Sequence, residues 1–167
     1  EITERLLSKS DKTSTAVKDK THYLRGLISH QRGDSDQLRR EIGALSTATG
    51  PGMRADRQEL TGRLAMAESR WDAAVKALDE TVRLRREKLD YAEMVQALVL
   101  AADACQRAGK HSAAATRYFR AGLSAAQQGN TQDAAKWFSS AARMADEAGD
   151  EALVQEVGAY LKRIQAP

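Results

Sequence analysis

The chain has 167 residues, enough to bury one sizeable core and too few for two comfortable domains. Its 26 basic and 23 acidic residues leave a formal charge of +3 spread along the chain, which gives little electrostatic reason to expect nucleic acid. Hydrophobic residues make up 42% but aromatics only 5%, so the core must be built from alanine and aliphatic side chains, which favours closely packed helices. Two prolines and few β-branched runs exclude a sheet protein, which needs turn residues every ten positions or so. The longest apolar run, Ala97 to Ala102, is far short of the roughly 20 residues that span a bilayer, so no transmembrane segment is expected. One cysteine, Cys105, excludes an internal disulfide and leaves the redox compartment open. The start at Glu1 in place of methionine raises the expectation of an upstream signal or anchor segment, which leaves cytoplasm and cell envelope both open.

The first 52 residues read as a helical hairpin and a linker. Val17, Leu24, Leu27 and Ile28 line a helix expected from about Thr15 to Gln31, with a mobile segment ahead of it, and Gly33 breaks it. A second helix is expected to start near Asp34 and to carry Leu38, Ile42 and Leu45. Asp34 and Asp36 resemble the opening of a calcium loop, yet Arg39 stands where the loop needs glycine and Leu45 where it needs a bidentate glutamate. A helix cap is the better reading. Ser46 to Gly52 has loop composition, and Gly50-Pro51-Gly52 lacks the lysine and Ser/Thr of a phosphate loop, so it reads as a linker.

Residues 53–167 read as a repeat domain of about three helix pairs. Gly109, Gly129 and Gly149 recur every twenty residues, each at the end of a stretch with helical periodicity, where glycine can take the left-handed conformation that stops a helix. Asn130 or Thr131 and Asp150 follow as caps for the next helix. Helices that stop and restart within a few residues fold back antiparallel. Counting back by twenty predicts two more helices, in the stretches that open at Ser69 and at Leu89. Apolar stripes agree: Trp71, Ala74, Val75, Leu78 and Val82 on one helix; Tyr91, Met94, Val95, Leu98, Ala101, Ala102 and Cys105 on the next; Leu153, Val154, Val157, Leu161 and Ile164 on the last. At a spacing of forty, small residues coincide: Gly62, Ala102 and Ala142, then Ala65, Cys105 and Ala145. Ala74 matches Ala114 and Val154, and Leu78 matches Tyr118. This is the mark of a repeated two-helix unit.

These residues resemble the tetratricopeptide repeat (TPR). The family's small residue of the first helix looks like Gly62, Ala102 and Ala142, the position one turn later like Ala65, Cys105 and Ala145, the turn glycine like Ser69, Gly109 and Gly149, and the second-helix alanine like Ala74, Ala114 and Val154. The third unit departs from the pattern with Gly158 where Leu78 and Tyr118 stand. A period of forty against the family's roughly thirty-four, and the missing proline of each unit, imply elongated helices. The resemblance implies an all-α fold of antiparallel hairpins stacked as a TPR-like right-handed α-solenoid, with the N-terminal hairpin packed on the stack. It further implies a concave face that binds an extended peptide or partner helix. By position, that face would present Glu59, Arg63 and Met66 from the first unit, Gln96, Val99, Asp103, Gln106 and Arg107 from the second, and Lys136, Ser139, Arg143 and Asp146 from the third.

Chemistry is not legible. His22, His30 and His111 have no metal-ligand spacing with one another or with Cys105, which stands in a slot otherwise filled by alanine. Arg83 to Lys88 is a basic run at a helix end, where cations complement the macrodipole, and no aromatics are interleaved for base stacking. Trp71, Trp137 and Phe138 read as packing residues, although adjacent Trp137 and Phe138 cannot both face inward. The expectation is therefore a non-catalytic adaptor or scaffold, with no metal or cofactor and with another protein as partner. The alternative is a module that self-associates through its solenoid ends.

Overall fold

A computed structural model describes the backbone of residues 2–47 and 49–165 and the side chains of residues 15–47 and 49–164. Among the described residues the secondary structure is helix and turn without strand: α1 Ile2–Gln31, α2 Ser35–Ala44, α3 Pro51–Ala67, α4 Trp71–Glu87, α5 Tyr91–Arg107, α6 His111–Gln127, α7 Thr131–Glu147 and α8 Glu151–Gln165. The twenty-residue period is met in full from α3 onward, since each of α3 to α7 is 17 residues long and each next helix starts after a three-residue turn.

Every one of those turns closes in the same way. The residues 69, 89, 109, 129 and 149 have φ between 56° and 76°, and the amide of the residue after each donates to the carbonyl five residues back, as Lys110 does to Cys105 at 2.9 Å and Asp150 to Ala145 at 2.9 Å. Gly33 ends α1 likewise. The restart signals are less uniform: Asn130 Oδ1 accepts from the Asp133 amide at 3.1 Å and Asp150 Oδ1 from the Leu153 amide at 3.0 Å, whereas Lys110 gives no cap and reaches Asp72 instead. Asp34 caps α2 at 2.9 Å through the Gln37 amide, as expected. Pro51 occupies the first position of α3, where its missing N–H costs nothing, so Pro51 and Gly52 belong to the helix and not to the linker. The expected domain boundary at residue 52 thus falls in the first turn of α3.

Helices pack on their sequence neighbours throughout, and α1 packs on α3 as well. Small residues let the axes approach: a Cβ on Gly62 would sit 2.6 Å from Leu78 Cγ, and one on Gly122 2.6 Å from Phe138 Cδ1. Ala65, Cys105 and Ala145, matched at forty, are all buried. The largest core cluster spans α5 to α8 around Tyr118, Phe138, Met144 and Val157, with Phe119, Phe138 and Tyr160 in mutual ring contact at centroid distances of 5.4 to 5.7 Å.

The N-terminal hairpin corrects two expectations. Helix α1 extends back to Ile2 and does not start near Thr15; the mobility expected ahead of Thr15 concerns side chains outside the described residues. Its packed face is also shifted by one position. Val17, Leu24 and Ile28 are exposed, while Tyr23, Gly26 and Ser29 are buried and Leu27 is half-buried. Two contacts with α3 set this rotation: Tyr23 OH donates to Glu59, and Gly26 admits Leu60 so closely that a Cβ there would lie 2.4 Å from its Cδ1.

Candidate functional site

The sequence-predicted strip divides into three fates. At its N-terminal end lies a buried ionic cluster. Arg85, 3% exposed, pairs with fully buried Asp56 and with Glu93, and lies 3.7 Å from Glu59 and 3.4 Å from Asp90. Lys20 Nζ reaches Asp56 at 3.2 Å, and Tyr23 OH donates to Glu59 at 3.1 Å, so the cluster fastens α1 to α3, α4 and the start of α5. Burial, reinforced by the Glu59 and Asp56 charges, pushes the Tyr23 phenol well above its ordinary range. Burial likewise raises the Glu93 carboxyl in spite of Arg85 beside it. Glu59 is thus a structural acceptor and not an exposed contact residue. Arg85 stands in the last turn of α4, where the sequence puts a helix end, but it is buried there among carboxylates.

The middle of the strip forms a cleft of about 480 Å3. Arg63 from α3, Ala92, Val95, Gln96, Val99 and Leu100 from α5, Ala125 and Gln128 from α6 and its turn, and Asn130, Asp133 and Trp137 from the start of α7 line it. Arg63, Gln96 and Val99 are the predicted contact residues that the fold gathers here. Arg63 is held in place by Glu59, its Nε donating at 3.0 Å. Trp137 forms one wall, stacked on Tyr118 with centroids 6.1 Å apart and rings inclined by 12°, and Lys136 Nζ lies 4.3 Å from its ring centre. The adjacency of Trp137 and Phe138 is resolved by division of labour: Phe138 is fully buried in the core, and Trp137 turns to the cleft.

The remaining predicted residues do not line this cleft. Asp103 accepts from Tyr118 OH, Arg107 lies over the Trp71 ring with its Cζ 5.7 Å from the centroid, and Ser139 donates to its own helix at Ala135. Gln106 and Met66 are half-buried, and Arg143 lies 3.8 Å from Glu147. Asp146 borders a shallow depression at the α7–α8 turn with Asp150 and Glu151. Val95 and Trp137 escaped prediction because apolar periodicity assigns both to the core. Tyr91, also assigned to the core, is 43% exposed.

The lining of the cleft is mixed, with Val95, Val99, Leu100 and Trp137 apolar, amides from Gln96, Gln128 and Asn130, and one charge of each sign from Arg63 and Asp133. Among the described residues no group of three or more His, Cys, Asp or Glu side chains could hold a metal ion. The Cys105 thiol is buried and its pKa raised by that burial, which disfavours the nucleophilic thiolate. No helix among the described residues is long and apolar enough to cross a membrane. Compared with protein-family models and with curated proteins, the chain gives no significant match.

Proposed function

We propose that the chain is a non-catalytic interaction module in which the helical hairpins stack as a TPR-like solenoid and the α3–α5–α7 side holds an extended peptide or partner helix. The observation that carries this reading is the cleft on that side, lined by both apolar and polar side chains, to which Arg63, Gln96 and Val99 contribute by the positions the repeat pattern selects. A photo-crosslinking residue in place of Gln96, expressed in the native source, is expected to trap a discrete partner, and the same residue in place of Gln155 on the exposed side of α8 to trap none. Val99→Asp is expected to abolish the Gln96 adduct while helicity persists. Equal trapping at both positions, or an adduct untouched by Val99→Asp, argues against the cleft.

A second reading, self-association, is supported by the exposed Val17, Leu24 and Ile28 of α1. It is not supported at the opposite end, where α8 turns Ala152, Gln155, Glu156, Ala159, Lys162 and Arg163 outward and so presents the polar face of a capping helix. A molar mass that rises with concentration, and falls back when Leu24 and Ile28 become lysine, would favour this reading over the first.

A further inference from the structure

The turn between α4 and α5 is built against the local rule. Its left-handed residue is Leu89, at φ 59°, where the turns after α5, α6 and α7 use glycine. The leucine side chain gains no burial in return: it is 68% exposed, the most exposed large hydrophobic among the described residues, and Tyr91 two positions on is 43% exposed. A conformation disfavoured for leucine, combined with an apolar side chain held in water, contributes nothing to the fold.

The charges around this turn have one sign left over. Arg86 and Lys88 are exposed and show no carboxylate partner among the described residues, whereas the neighbouring acids are engaged, Glu87 by Arg83 and Asp90 by Arg85. Because consecutive helices reverse direction, the same end of the molecule carries exposed Arg54 at the start of α3 and Lys162 and Arg163 at the end of α8. The opposite end is mixed at its turns, where Asp36 and Asp72 pair with Arg39 and Lys110.

We propose that this basic end docks peripherally on an anionic lipid bilayer, with Leu89 entering the acyl boundary, Tyr91 at headgroup level and Arg86 and Lys88 on lipid phosphates. Leu89 and Tyr91 are exposed at the turn, which suits a soft surface that needs no complementary pocket, and Arg86 and Lys88, the latter with its Nζ against Gly52 of α3, supply the charge complementarity. This docking does not rest on the cleft reading, although Ala92 beside Tyr91 and Asn130 at the same end line the cleft.

The test is partition of the full chain onto sedimented vesicles of phosphatidylcholine alone or with about 30 mol % phosphatidylglycerol. Weak, reversible, salt-sensitive partition is expected on the anionic vesicles only. Leu89→Gly should lower that partition about tenfold while raising the thermal unfolding midpoint, so that lost binding cannot be lost folding. The Arg86→Gln and Lys88→Gln double variant should lower it about tenfold as well. Wild-type chain that stays in the supernatant overturns the proposal and leaves Leu89 to a protein partner. Partition unchanged by Leu89→Gly, with only the cation variant weakened, overturns insertion in favour of nonspecific attraction.

Discussion

Two of the described residues take the left-handed helix-ending conformation without being glycine, Ser69 at φ 56° and Leu89 at φ 59°. A side chain there costs roughly 1–2 kcal/mol, of which glycine's greater freedom in the unfolded chain takes back part. Ser69→Gly is therefore expected to stabilise the protein by about 0.5 kcal/mol, and Gly109→Leu, at φ 72°, to destabilise it by about 1 kcal/mol; urea denaturation checks both. These turns were legible at Gly109, Gly129 and Gly149, because glycine advertises the conformation, and at Ser69 and Leu89 only by counting twenty. Buried tyrosines add a pH-dependent effect. Burial raises the Tyr118 phenol, helped by its bond to Asp103, and burial with the Glu59 charge raises Tyr23. Above the ordinary tyrosine value near 10 the unfolded chain releases protons that the folded chain keeps. The stability held below pH 10 is thus lost as pH rises beyond it. Melting temperatures measured between about pH 9 and pH 11 should fall, and should fall less steeply when Tyr23 and Tyr118 are both phenylalanine.

At the scale of elements, Arg85 shows where pattern reading stops. Counted by twenty, it occupies the slot of Ala65, Cys105, Ala125 and Ala145, all small and buried. The slot in α4 stays buried but holds a guanidinium, because Asp56 and Glu59 of α3 and Glu93 of α5 surround it. Helix periodicity places Asp56 and Glu59 on one face, yet nothing in one helix says that a cation from another will meet them. The same gap hid the rotation of α1, whose packed face is chosen by Tyr23 and Gly26 and not by the aliphatic Leu24 and Ile28. Breaking a buried pair leaves a charge without partner or water, so Arg85→Leu should cost about 3–5 kcal/mol in a denaturant titration. Combining it with Asp56→Asn should recover part of that loss. A fully additive double variant would mean that the two side chains do not meet.

For the molecule as a whole, the all-helical content and, from α4 onward, helix lengths and turns could be read from composition and spacing, because they follow from local rules repeated along the chain. The cleft could be read only in part, since its Val95 and Trp137 look like core residues until the packing decides otherwise. That packing runs mostly between sequence neighbours, with α1 on α3 and the Phe119–Tyr160 contact of α6 with α8 among the departures. Clusters follow the chain accordingly: Leu38, Leu45 and Leu60 hold the N-terminal end, and Tyr118, Phe138 and Val157 the C-terminal end, with no residue in common. A fold coupled through neighbours conducts a local defect only as far as the next interfaces. Leu38→Ala, at a fully buried site, should cost about 2–4 kcal/mol at the N-terminal end and raise amide hydrogen exchange in α1 to α3. Exchange in α6 and α7 should remain near the wild-type rate, since those helices keep every neighbour they had. A uniform rise in exchange from α1 to α8 would instead show one cooperative core, and with it a fold held by contacts longer in range than those between neighbouring helices.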